Sequence, residues 1–305
     1  MSVAVASYLA VFAVSALLVL AFHRLLRRGL APTRLVETRT PADLGLAYRQ
    51  QRIPTANGRT LHGWLVPAPA AAPAPAVVLL HGWGGNAETL LPLAPFLAQA
   101  GFAALLFDAR CHGRSDEDSF ASMPRFAEDL EHALAWMRRQ DGIDARRIAV
   151  IGHSVGAAAA LLVAARRDDL AAVVSIAAFA HPRTVMCRLL ASWHIPYWPL
   201  GWYILYYVQR VIGHRFDAIA PLTTIRQVRC PTLLVHGAAD TTVPVSEAAA
   251  IHAARGAAPV QLQVIAGSHD DYGEVAQAAP PLVAFLRAAM PTGGAGPGAP
   301  LAPNC

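Results

Sequence analysis

Val150-Ile151-Gly152-His153-Ser154-Val155-Gly156 decides the fold: an apolar run enters Gly-x-Ser-x-Gly and leaves through Ala157 to Arg166, AAAALLVAAR. Arg147 to Ile151 reads as a buried parallel strand and the Ala-rich run as a strong helix former. A serine at a sharp strand-to-helix turn sits in strained backbone, and glycine two residues before and after lets the flanking elements approach. Such a turn pushes the hydroxyl out of the sheet and aims a helix N-terminus at it. Ser154 is therefore the first candidate for a reacting group.

Working outward, further apolar strands are expected at Ala76 to Leu80, Phe102 to Phe107, Ala171 to Ala178, Thr232 to His236 and Val260 to Ile265. Helices are expected at about Thr89 to Ala100, Pro124 to Gln140, Ser246 to Ala254 and a last one ending near Ala289. Strands without in/out alternation, separated by helices, imply a parallel sheet covered on both faces, and right-handed crossovers make it doubly wound. Ahead of it, Leu46 to Ile53 and Thr60 to Val66 read as a hairpin closed at Ala56-Asn57-Gly58-Arg59, followed by a Pro/Ala loop from Pro67 to Pro75. Between about 181 and 221 the alternation stops. That stretch holds Trp193, Trp198, Trp202 and four tyrosines, broken by Pro196 and Pro199, and reads as an inserted helical cap.

Sites in such sheets lie at the carboxyl ends of the strands, where His81-Gly82, Asp108 and Ser154 all fall. A serine hydroxyl needs a base, and the base an orienting acid. Asp240 and His269 follow the two strands after the cap, so the chain order is Ser154, Asp240, His269. Asp270 and Asp271 compete for the acid role, but direct neighbours of a histidine rarely face it. Asp108 and Arg110 are expected to staple a loop, His112 to bond within it, and His153 either to pack behind the turn or to support the reacting groups from behind. No HExxH, paired-cysteine or clustered-carboxylate spacing occurs, so no metal is expected.

Together these motifs resemble the α/β-hydrolase superfamily, in the bacterial group similar to monoacylglycerol lipases and serine aminopeptidases. The resemblance rests on His81-Gly82-x-Gly84-Gly85, Asp108-x-Arg110-x-His112-Gly113-x-Ser115, Gly152-x-Ser154-x-Gly156 and His236-Gly-x-x-Asp240-x-x-Val243-Pro244 with Gly267-Ser-His269, spanning about residues 60 to 289. Cys111 departs from it, standing where glycine is usual. The resemblance implies Ser154 as nucleophile, His269 as general base and then acid, and Asp240 as orienting carboxylate. It also implies an oxyanion hole from the N–H groups of Trp83 and Val155, and no cofactor. The reaction expected is hydrolysis of a carboxylic ester, lipid-like or of medium acyl length. A thioesterase or aminopeptidase-like amidase using the same residues stays open, as does a catalytically silent membrane-tethered binding module. Trp193, Trp198 and Trp202 are candidate substrate contacts, the cap being either packed core or a lid that lines an acyl pocket or touches the bilayer.

Val3 to Phe22 carries no charge and is long enough to span a bilayer core, and arginines follow it rather than precede it. We expect a retained transmembrane anchor rather than a cleaved signal peptide. Arg24, Arg27, Arg28 and Arg34 then place the rest of the chain on the cytoplasmic side of the inner membrane. The net charge of +5 is carried by residues 1–52, which hold seven arginines against Glu37 and Asp43; residues 53–305 hold 18 of each sign. A neutral globular part gives no footprint for nucleic acid. The four cysteines show no paired or metal-like spacing. The expected order is anchor and basic stop at 1–28, juxtamembrane segment and first strand at 29–59, the α/β domain at 60–290, and a disordered tail at 291–305.

Overall fold

The computed structural model describes residues 3–69, 73–269 and 279–291. Eight strands form one sheet: β1 (Arg49–Pro54), β2 (Thr60–Val66), β3 (Ala74–Leu80), β4 (Ala103–Phe107), β5 (Ile143–His153), β6 (Ala172–Ile176), β7 (Thr232–Gly237) and β8 (Val260–Ile265). Their order is β1-β2-β4-β3-β5-β6-β7-β8. The pairs β1/β2 and β2/β4 are antiparallel, and every pair from β4 to β8 is parallel. The hairpin closes on Asn57 and Gly58, both at positive φ (58° and 65°), as its Asn-Gly sequence predicts.

Among the described residues the α-helices are α1 (Val3–Gly29), α2 (Ala94–Gln99), α3 (Met123–Met137), α4 (Val155–Arg166), α5 (Pro182–Ser192), α6 (Trp202–Ile212), α7 (Phe216–Ile219), α8 (Pro221–Thr224), α9 (Val245–Ala253) and α10 (Ala279–Ala289). The helix expected over Thr89 to Ala100 is a tighter 3₁₀ stretch, Ala87–Leu93, followed by the short α2. Pro92 and Pro95 cannot supply the N–H groups a continuous α-helix needs.

Alternate residues of one strand serve opposite faces. Val78, Leu80, Leu105, Phe107 and Val150 meet Phe126, Leu130 and Leu134 of α3 and the alanines of α4. Val77, Leu79, Leu106 and Ile151 meet Leu97 of α2 and Leu282 and Leu286 of α10. Both faces are buried, which is why the central strands read as unbroken apolar runs.

Helix α1 is long and apolar enough to cross a membrane, and its side chains are largely exposed. Beyond it the chain is tied to the domain. Arg34 Nη1 donates to the carbonyls of Gly113 (3.1 Å) and Ser115 (2.8 Å), and Ala121 N–H donates to Leu30. Arg34 thus clamps the loop after β4, whereas its sequence position alone placed it among the juxtamembrane charges.

Candidate active site

Ser154 sits at φ 51° and ψ −114°, outside the regions an L-residue favours, a distortion typically worth about 1–3 kcal/mol. Its surroundings hold it there. Its own N–H donates to Ile176 of β6 at 2.8 Å. A Cβ on Gly152 would lie 2.3 Å from the carbonyl oxygen of Gly156, and one on Gly156 would lie 2.3 Å from that of His81. Only glycine lets β5, α4 and the end of β3 converge this closely, so the spacing of the motif is a packing requirement.

The chain brings the three predicted residues together from three strand ends. His269 Nε2 lies 3.0 Å from Ser154 Oγ, and His269 Nδ1 lies 2.7 Å from Asp240 Oδ2. The other oxygen of Asp240 accepts N–H groups from Thr242 (2.9 Å) and Val243 (2.7 Å). A carboxylate placed to accept from every side makes His269 Nδ1 a donor, which leaves the Nε2 lone pair for the serine hydroxyl. Asp270 and Asp271 lie outside the described residues.

The first main-chain N–H of α4, on Val155, has no helical carbonyl in reach, as at any helix start. The Gly82–Trp83 peptide is fixed by its carbonyl: His81 Nδ1–H donates to the Gly82 oxygen at 2.7 Å and Gly85 N–H at 3.2 Å. His81 can donate there because its Nε2 accepts from Ala109 N–H at 3.0 Å. In a trans peptide the N–H points opposite to the C=O, so the Trp83 N–H is turned away from His81. A Cβ on Gly82 would be 3.1 Å from the Ser154 Cβ, so this peptide lies beside the serine. Burial keeps the His81 imidazole below its usual range.

Of its two expected roles, His153 takes the supporting one. Its Nε2–H donates to the His269 carbonyl at 3.0 Å, and the two rings lie 5.0 Å apart. Burial, and then the charge His269 can carry, push its pKa down to about 3, so it stays a neutral donor that tethers the His269 backbone. His236 Nε2–H donates to the Val243 carbonyl at 2.7 Å and lies 3.3 Å from Asp240, bracing the turn that holds the acid. This role of His236 is additional to those expected from the sequence, where its fixed spacing before Asp240 is the signal for it.

The expected staples are staples. Asp108 accepts from Ala87 and Arg114, and buried Arg110 pairs with Asp129 (2.7 Å), Asp118 (3.1 Å) and Glu128. His112 Nδ1 meets the Arg110 carbonyl at 2.9 Å, and burial drops its pKa to about 3. Among the described residues one group, Glu37, His62 and Asp108, brings possible ligand atoms within 4.8 Å of one another. Its oxygens already serve Arg114, two main-chain N–H groups and His62. Trp193, Trp198 and Trp202 lie on the cap surface, 61 %, 69 % and 45 % exposed.

Comparison with known proteins agrees with this architecture. The serine aminopeptidase S33 family profile matches residues 71–209. The Mycobacterium tuberculosis protein Rv2307c is 30% identical over 230 residues, 74% of this chain and 73% of the relative. The Escherichia coli K12 protein YfhR is 27% identical over 194 residues, 62% of this chain and 61% of its own. Among solved structures, the Pyrococcus furiosus esterase Pf2001 superposes with a TM-score of 0.69 at 24% identity, over 85% of this chain and 99% of the other. With an eight-stranded sheet of this order, a strained serine at the end of β5 and these relatives, the chain belongs to the α/β-hydrolase superfamily.

Proposed function

We propose that this protein is a membrane-anchored serine hydrolase that cleaves carboxylic esters of lipid-like or medium-chain acyl type. The observation that carries the reading is the unbroken relay Asp240–His269–Ser154, at 2.7 and 3.0 Å, ending on a serine whose backbone is held strained. Ser154 Oγ attacks the ester carbonyl carbon while its proton passes to His269 Nε2. The charge that forms on the carbonyl oxygen is met by the N–H groups of Val155 and Trp83. His269 returns the proton to the departing alkoxide, leaving an acyl group on Ser154. Water gives a proton to His269 and attacks the acyl carbon, and His269 passes that proton to Ser154 Oγ as the bond to the acyl group breaks and the acid leaves. The route calls for no cofactor. α1 serves as the anchor, and Arg24, Arg27 and Arg28 favour the cytoplasmic side for its end.

The test uses the full chain in detergent micelles with p-nitrophenyl esters from acetate to palmitate. We expect turnover favouring medium or long acyl groups and its loss in Ser154→Ala, by on the order of 10⁶ in kcat if the relay works as a unit. Equal turnover by both proteins would remove Ser154 from the mechanism. The S33 aminopeptidase match favours amide cleavage as the second reading. Aminoacyl p-nitroanilides cleaved faster than every ester, and only with Ser154 present, would establish it.

A further inference from the structure

At about 100° per residue, Trp202, Tyr206, Tyr203 and Tyr207 fill one continuous arc of α6, roughly 140° wide. Ile204, Val208 and Leu205 fill the opposite arc and are buried in the domain. The aromatic arc has two halves with different surroundings. Tyr203 and Tyr207 are covered by α1: Phe22 and His23 lie against the Tyr203 ring at 6.3 and 6.0 Å, and His23 stacks on Tyr207 at 4.2 Å. His23 Nε2 is hydrogen-bonded to the Tyr203 hydroxyl at 2.6 Å, and Arg27 Nε donates to the Tyr207 hydroxyl at 3.1 Å. Trp202 and Tyr206, stacked at 5.8 Å, are about half exposed. The exposed half continues into Trp198, whose ring lies 5.7 Å from that of Trp202. Trp193, at the end of α5, is exposed as well.

The place of the contact sets its depth. It falls on Phe22 to Arg27, where the apolar run of α1 gives way to arginines, so in a spanning helix these residues stand at the membrane–water boundary. Side chains touching them stand at the same level, and Trp and Tyr are the residues that favour that layer. Arg24 and Arg28 add attraction to anionic head groups at the same height. A contiguous aromatic face of this kind left open to water is unusual on a soluble surface.

We propose that the exposed aromatic face of the cap, Trp193, Trp198, Trp202 and Tyr206, is bedded in the head-group layer of the bilayer in which α1 is anchored. α1 and α6 dock as one interfacial unit, and the occupant of the face is lipid. The proposal rests on the anchor reading of α1 given above, and it makes the cap a contact with the membrane.

The test reconstitutes the full chain in vesicles of equal parts phosphatidylcholine and phosphatidylglycerol, the phosphatidylcholine brominated on acyl carbons either near the head group or near the chain end. We expect protein that resists a carbonate wash and tryptophan emission quenched more by the shallow bromines than by the deep ones. The variant W193F/W198F/W202F stays on the vesicles and loses most of the quenching; Trp198→Phe, a milder change at the most exposed ring, loses part of it. Vesicle-bound protein whose emission ignores the bromines, or a triple variant quenched as strongly as wild type, would overturn the proposal while leaving the anchor standing. Emission that ignores bromine but shifts on diluting the protein in the membrane would assign the face to a second copy and overturn it too. Protein stripped by carbonate would instead sink the anchor reading, and this proposal with it.

Discussion

At the carboxyl end of β4, Asp108 accepts main-chain N–H groups from Ala87 (2.7 Å) and Arg114 (2.9 Å) and faces His62 Nδ1 at 3.3 Å. Just past β7, Asp240 accepts from Thr242 and Val243 at 2.9 and 2.7 Å and faces His269 Nδ1 at 2.7 Å. Both side chains are fully buried. The two sites part at the second ring nitrogen. His269 Nε2 reaches the Ser154 hydroxyl, whereas His62 Nε2 is buried with no hydrogen-bond partner among the described residues. Their neighbours differ too: Asp240 has His236 beside it, and Asp108 has a second carboxyl, Glu37. An acid–histidine pair becomes a relay only where the histidine's far nitrogen has a group to deprotonate. Elsewhere the same wiring holds a loop.

The largest difference between the two aspartates is expected in rate. Asp240→Asn keeps an oxygen for the Thr242 and Val243 N–H groups but favours the wrong His269 tautomer, so kcat on the best ester falls on the order of 10⁴-fold with little change in stability. Asp108→Ala does the opposite. It strands the N–H groups of Ala87 and Arg114, at about 1–3 kcal/mol each for buried donors, and a loss of about 3 kcal/mol in urea unfolding is expected. Its folded fraction keeps a rate far above that of Asp240→Asn. Equal rate losses in the two variants would break the distinction and make the β4 loop part of the chemistry.

The second carboxyl at Asp108 sharpens the comparison through pH. Burial, then its hydrogen bond to Asp108 and the charge there, raise Glu37 from 4.5 to about 8. Burial opposes ionisation of Asp108 as well, yet hydrogen bonds from His62 and Glu37 bring it below its usual range, so the shared proton rests on Glu37. An acid whose folded pKa is raised holds its proton in the folded state after the unfolded chain has released it. Its contribution is therefore complete below about pH 4.5 and lost as pH climbs through about 8. Glu37→Gln donates the same hydrogen bond with nothing to ionise. Urea midpoints followed across that window should fall less steeply for the variant than for wild type; parallel slopes would mean that Glu37 titrates as an ordinary surface acid.

The central strands were legible because burial on both faces removes alternation, and the serine turn because close approach demands glycine at fixed spacing. The order of Ser154, Asp240 and His269 followed from strand ends falling on one edge. What stayed hidden is contact between distant positions that leaves no local pattern. Glu37 meets Asp108 across 71 positions, and His23 meets Tyr203 across 180. Which group His153 supports was hidden as well, because a tether to a main-chain carbonyl places no demand on the sequence around His269. The proline break before α2 was readable, since Pro92 and Pro95 stand inside the stretch expected to be one helix.

Cys111 gives the smallest effect and the finest test of the loop that Asp108 holds. Its φ is 68°, in the left-handed region, which is the physical reason glycine is usual at that place. An L-residue there is strained by roughly 1–2 kcal/mol. The sulfur offsets part of this, since Sγ is buried, accepts Asp118 N–H at 3.3 Å and lies 3.5 Å from the Asp118 carbonyl. Cys111→Gly removes the strain and the sulfur contacts together and loosens the unfolded chain, so a net change under about 1 kcal/mol is expected. Cys111→Ala keeps the strain and loses the sulfur, and should be less stable than the glycine variant despite the better ordinary propensity of alanine. Urea midpoints ranking alanine above glycine would show that the backbone at 111 relaxes out of the left-handed region, and that Asp108 does not hold its loop as rigidly as Asp240 holds its own.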